Sequence, residues 1–232
     1  MRKTVLITGA SSGIGAATAL ALASTWDVVL VARRRERLQS VAERVIAAGA
    51  KAWVIAADLT VPGEPHRVLA QVVALAGGLD ALVNNAGMFT TATVEAVTAE
   101  HIAALWQLNV QVPMVLSAAA IPHLAARNGS IINVSSAAVD ASFAGCAVYT
   151  ATKSALETWS RIAREELRSK HIRVGVIAPG ATDTDVWPGT SSFDRSRMCR
   201  ADDVAQAIRL MLESPAQSSI DRLTVTPSAG AF

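Results

Sequence analysis

The chain has 232 residues, of which 51% are apolar and 17% charged; this excludes a disordered chain and suits one domain with a sizeable core. A net charge of +2 is too small to mark a nucleic-acid or membrane-surface binder. Cys146 and Cys199 form no CxxC pair, and His66, His101, His123 and His171 lack metal-ligand spacing, so the reading is a reducing compartment and no metal.

In chain order, "MRK" is followed by an uncharged stretch from Thr4 to Trp26. Gly9, Ser11, Ser12, Gly13, Gly15 and Thr18 break its apolar part, so it reads as strand, turn and helix rather than a secretory leader. No other stretch offers the ~20 apolar residues of a membrane span, and a soluble, cytoplasmic protein is expected. Short β-branched runs recur at 4–8, 27–32, 52–57, 81–84, 130–135, 172–178 and 221–226. Several are apolar throughout, as strands buried on both faces of a parallel sheet are. Between them lie segments of helical spacing. Residues 35–49 put Leu38, Val41, Val45 and Ile46 on one stripe, with Gly49 as the stop. Residues 64–78 repeat the theme, and 147–171 read as one long helix. Alternation of this kind predicts an α/β fold: a doubly wound, Rossmann-type parallel sheet of about seven strands in a single domain, 1–232. Ligands of such sheets bind beyond the carboxyl ends of the strands.

The first strand runs into "TGASSGIG", 8–15, with Gly9, Gly13 and Gly15 before an Ala-rich helix. Glycine lets a ligand approach the backbone, and helix-start amides favour a pyrophosphate. The spacing is Gly-x-x-x-Gly-x-Gly, not the common dinucleotide fingerprint. The second strand ends at Ala32, where NAD-binding folds usually carry an acid; Arg33, Arg34 and Arg35 follow. Cations there suit a 2′-phosphate, so NADP is expected over NAD. Further along, "YTATK" sets Tyr149 and Lys153 one helical turn apart, about 5–6 Å between β carbons. Free tyrosine ionises near pH ~10, and an adjacent ammonium is expected to lower that value.

With TGASSGIG, NNAG (84–87) and YTATK in order, the chain resembles the short-chain dehydrogenase/reductase family from Thr4 to about Thr226. The resemblance implies a seven-stranded sheet, NAD(P), and metal-free interconversion of a secondary alcohol and a carbonyl. It implies a tetrad of Asn109, Ser136, Tyr149 and Lys153, with Ser135 the alternative serine. Tyr149 is the implied general acid/base and Lys153 the implied partner of the nicotinamide ribose. Implied cofactor contacts are Gly9, Ser11, Ser12, Gly13, Ile14, Gly15, Arg33, Arg34, Asp58, Leu59, Asn85, Ala86, Gly87, Tyr149, Lys153, Pro179, Gly180, Thr182 and Thr184. Ser12 stands where many NADP-dependent members carry a basic residue. A substrate lid is implied around 185–200, with Trp187 and Phe193, and a pocket lined by Met88, Phe89, Ala137, Ala138 and Val139. Arg195, Arg197 and Arg200 are read as solvated lid charges rather than partners of an acidic substrate. A small-molecule alcohol or carbonyl and a homodimer or homotetramer complete the expectation. The second reading is a nucleotide-binding regulatory or scaffold protein of the same fold without turnover.

Overall fold

The first strand, β1 (Lys3–Thr8), alternates its side chains as a pleated strand must. Val5 and Ile7 enter one apolar cluster, Leu6 the other. The structure, a computed structural model, describes residues 2–187 and 194–230. After β1 come α1 (Gly13–Leu22), β2 (Trp26–Ala32), α2 (Arg35–Ala47), β3 (Ala52–Ala56), α3 (Glu64–Ala76) and β4 (Ala81–Asn84). Then α4 (Ala99–Trp106), a π-helical segment (Gln107–Gln111) and α5 (Val112–Ala125) run on without a break. The chain continues through β5 (Ser130–Val134), α6 (Ala147–Leu167), β6 (Arg173–Pro179), β7 (Thr182–Asp183), β8 (Cys199–Arg200), α7 (Ala201–Glu213) and β9 (Arg222–Val225).

Seven strands form one parallel sheet in the order β3-β2-β1-β4-β5-β6-β9. One cluster packs α1, α2 and α7 on it through Leu22, Leu38, Val41, Val45 and Ile208. The other packs α3, α5 and α6 on the opposite face through Val68, Val72, Leu116, Leu124 and Leu167. Burial of both faces explains why the strands read as apolar throughout. The expected strands are found with small shifts at their ends.

Three expectations change. On α2 the buried stripe is Leu38, Val41, Ala42 and Val45, while Ile46 is 55% exposed. Residues 38, 41, 42 and 45 follow helical spacing, and position 46 rotates past the edge of that stripe. The lid segment, expected as polar loop or short helices, holds the 3-10 turn Arg195–Arg197, but it is also tied at its base by the unexpected short parallel pair β7 and β8, with Thr182 opposite Cys199. The expected lid residue Phe193 lies outside the described residues. Finally, the continuous helix Ala99–Ala125 is long and apolar enough to cross a membrane, which the sequence reading denied. It instead turns Leu105, Val110, Val112, Leu116, Ala120 and Leu124 into the interior.

Candidate active site

The turn after β1 is tightly built. A β carbon on Gly15 would stand 2.5 Å from the Gly9 carbonyl oxygen, and one on Gly9 2.8 Å from the Asn85 amide. Helix α1 begins without a cap: Ser12 makes no side-chain cap bond and the first turn holds no acid. Its first amides therefore face the crevice uncompensated, where an anion is favoured. Arg34, at the start of α2, reaches back across β2. Its guanidinium donates to Ser11 Oγ at 3.1 Å and Ser12 Oγ at 2.9 Å. A cation thus stands over Ser12 although none is there in sequence. Arg33 is exposed and close enough to help lower the Asp58 carboxyl pKa, an effect due first to hydrogen bonds from Thr60. Leu59 is buried in the cluster under α3, α5 and α6, while Ile14 packs against the cluster on the opposite face of the sheet. A cleft of about 520 Å³ opens on the α2 side of the turn, lined by Ser11, Ser12, Gly13, Arg37, Asp185 and Arg195. Tyr149 does not line it, so the cleft marks the glycine-turn end of the crevice only.

The end of β4 is tied to that turn. Asn85 Nδ2 donates to the Thr8 carbonyl at 2.9 Å. Thr8 Oγ1 accepts from the Asn85 and Ala86 amides. Asn109 sits in the π-helical segment, fully inside. Its Oδ1 accepts from Met88 N at 2.8 Å and its Nδ2 donates to Met88 O at 2.9 Å and Thr152 Oγ1 at 3.3 Å. The widened turn of a π segment displaces a side chain from the ordinary helical row; here it aims an amide at the loop after β4 and at α6. A β carbon on Gly87 would stand 3.2 Å from Asn109 Oδ1 and 3.5 Å from Lys153 Nζ, so glycine gives that wall its room.

Helix α6 brings the remaining groups together. Ser136 follows β5; its Oγ accepts from Ala138 N at 3.1 Å and lies near enough to the Tyr149 phenol to pull its pKa downward. It is thus both the cap of a short 3-10 turn and a neighbour of the phenol. Ser135 is buried and its hydroxyl has no partner. Lys153 is 5% exposed, donates to the Val134 carbonyl at 2.8 Å, and has its Nζ 5.8 Å from the Tyr149 ring centre. Burial pushes its pKa down to about 8. The expectation for Tyr149 is reversed: burial raises its pKa above the ordinary value, and the nearby Ser136 hydroxyl opposes this without overcoming it. The reason is that desolvation penalises the charged form of both partners, and Lys153 turns its ammonium to Val134.

The turn after β6 closes the rim. Gly180 N donates to Val225 O at 2.8 Å, Thr182 Oγ1 to Gly180 O at 2.9 Å, and Pro179 ends the strand. The Thr184 methyl would lie 3.0 Å from a β carbon on Gly13, so this turn abuts the glycine turn. Arg195 pairs with Asp183 and donates to Thr184 O, while Arg200 pairs with Asp203.

A sequence model of the short chain dehydrogenase family matches residues 3–194. The chain belongs to the short-chain dehydrogenase family. An uncharacterized oxidoreductase of Methylorubrum extorquens is 39% identical over 185 residues, 79% of this chain and 74% of that one. One from Staphylococcus epidermidis is 30% identical over 227 residues, 97% of each chain. A Burkholderia cenocepacia short chain dehydrogenase solved with NADP superimposes with a TM-score of 0.89 at 35% identity over 96% of each chain. An alcohol dehydrogenase from Thermococcus sibiricus shares the fold, with a TM-score of 0.93 at 23% identity over 100% of this chain and 99% of that one. This short-chain dehydrogenase is therefore an oxidoreductase by family.

Sequence reasoning missed three of its site-building groups: Thr8, Thr152 and the Arg37–Asp185 pair at 2.7 Å that joins α2 to the lid segment. Thr8 could have been found, because a hydroxyl at a strand end before a glycine turn often bonds a neighbouring turn. Nothing local marks the other two, whose partners lie far away in sequence.

Proposed function

We propose that this dehydrogenase interconverts a secondary alcohol and a carbonyl with NADP(H), Tyr149 acting as general acid and base. The observation that carries the reading is one juxtaposition: the Tyr149 phenol beside Ser136, with the buried Lys153 one turn away, on the same rim as the uncapped start of α1. The residues fit the cofactor. First-turn amides from Gly13 to Gly15 would hold the pyrophosphate, and Arg33 with Arg34 the 2′-phosphate. Arg34 supplies through space the cation that position 12 lacks, and the Burkholderia relative holds NADP. Asn85, Ala86 and the open wall at Gly87 suit the adenosine ribose. Lys153 would hold the nicotinamide ribose hydroxyls, and Pro179, Gly180, Thr182 and Thr184 the nicotinamide end. When bound, the cofactor supplies or accepts the hydride.

The chain's own groups handle the proton. Tyr149, its pKa raised, is a neutral phenol at neutral pH. That is the form that gives its proton to a carbonyl oxygen during reduction; the phenolate takes it back from the alcohol during oxidation. Ser136 accepts from Ala138 N, and its O–H, which favours the ionised Tyr149 when no substrate is bound, would turn to stabilise charge on the substrate oxygen. Asn109 holds the loop after β4 against α6 and so fixes the site's width. Dimers or tetramers would cover the exposed apolar side chains Ile102 and Trp106 of α4 and Ile162 of α6.

The test is NADPH oxidation against a panel of ketones and aldehydes, with Tyr149→Phe as control. Turnover lost by at least ~10²-fold in the variant is expected. Cofactor binding without any Tyr149-dependent turnover would instead favour a nucleotide-binding regulatory protein.

A further inference from the structure

We propose that Phe89 and Trp187 form an aromatic wall beside Tyr149 that selects neutral, ring-bearing carbonyl compounds. The inference rests on the oxidoreductase reading and adds the substrate class. Phe89, from the loop after β4, stands edge-on to Tyr149, with ring centres 4.9 Å apart and planes at 89°. Trp187, from the segment after β7, lies 5.4 Å from Phe89 at 56°. Three rings from three separate parts of the chain thus meet at the proposed proton donor.

Both outer rings are anchored through the backbone rather than left loose. The paired bonds between Asn109 and the Met88 amide and carbonyl hold the residue next to Phe89. Trp187 Nε1 donates to the Thr182 carbonyl at 2.8 Å, so the indole's polar atom is satisfied and its apolar body faces Phe89. Phe89 and Trp187 are each only partly buried, which leaves ring surface for a ligand. Edge-to-face and tilted contacts are the arrangements aromatic rings prefer, and a further planar ring can join them in the same way. A saturated ring of equal carbon count gains apolar contact but not that geometry.

Charge points to a neutral ligand. The cations flanking the lid are engaged with the protein: Arg195 with Asp183 and Thr184 O, Arg200 with Asp203, Arg222 with Asp140 and Glu157, and Arg197 with Ala229 O. Lys153 points inward to Val134. A substrate carboxylate entering here would have to break one of these pairs or remain poorly compensated.

Three probes separate the claims: acetophenone, cyclohexyl methyl ketone and the anion phenylglyoxylate. Turnover with NADPH is measured for each, alongside calorimetric binding to the enzyme holding NADP+, which forms a complex without turnover. Acetophenone should exceed the cyclohexyl ketone by roughly three- to tenfold in both readouts, with phenylglyoxylate the poorest. Phe89→Leu and Trp187→Leu should each bring that ratio toward one, mainly through KM, while NADPH affinity stays unchanged. Equal handling of the two ketones overturns the wall, as does preference for the anion or a ratio that survives both substitutions. Selective acetophenone binding with no turnover of any probe keeps the wall and sinks the oxidoreductase reading. Turnover without selectivity does the reverse, and acetophenone neither bound nor turned over removes the wall.

Discussion

Tyr149 is the single tyrosine of the chain, so its ionisation can be followed optically without interference from another phenol. The balance of forces on it is set by burial. Lys153 lies near but is itself desolvated, with a pKa of about 8. In the cofactor-free protein, tyrosinate absorption should therefore emerge only above pH ~10, the value of an unperturbed phenol. Half-ionisation at neutral pH would show that the ammonium outweighs desolvation. The same burial makes a stability prediction for Lys153. Its pKa falls from 10.5 to about 8 on folding, so the unfolded chain binds more protons between those values. Stability from this group then rises with pH across about 8 to 10.5, and below 8 the cost of the buried charge is felt in full. Lys153→Met should be more stable than the parent at pH 7 by up to about 3 kcal/mol. Loss of the bond to the Val134 carbonyl offsets part of that gain. The difference should shrink by pH 10 in chemical denaturation; a gap that does not change with pH would contradict it.

Secondary-structure elements show where sequence reasoning reaches and where it stops. The strands were legible because helices cover both faces of the sheet, leaving uninterrupted apolar runs such as Val28 to Val31. The glycine turn and the Tyr149–Lys153 helix were legible because their geometry is local. Ile46 was misplaced because it lies one step beyond the stripe that α2 buries. The π segment around Asn109 was invisible, since residues 99–125 carry an ordinary helical pattern and only its long-range bonds to Met88 and Thr152 reveal the use of the extra residue. The β7–β8 pair joins two-residue strands sixteen positions apart, too short to stand out from loop. Arg34 was named for the phosphate, yet its reach over Ser12 depends on how β2 sits beside β1. In each case the missing information is tertiary. A residue's type announces its chemistry, while its partner is decided by packing.

At the scale of the whole molecule, the two ends of the sheet do different work. The carboxyl end gathers the glycine turn, Asn85, Ser136, Tyr149 and the turn after β6. The amino end gathers arginines around a cleft of about 660 Å³ lined by Lys3, Arg127, Arg164, Arg168 and Arg173. Three of these cations are occupied with main-chain carbonyls: Arg127 with Gly77 O, Arg164 with Val174 O and Asp221 O, and Arg173 with Leu212 O and Ser214 O. Arg173 is the most committed, since it also donates to Ser130 Oγ and Ser214 Oγ. It satisfies the carbonyls that α7 leaves at its carboxyl end, where a cation is favoured. Arg173→Ala should therefore lower unfolding stability by about 1 to 3 kcal/mol, the range for stranding part-buried acceptors. The folded enzyme should keep its NADPH affinity and its turnover number, because α7 meets the crevice only at its other end. Denaturation and steady-state kinetics on one preparation would check both halves. Weakened cofactor binding at unchanged stability would mean that the amino end takes part in the chemistry after all.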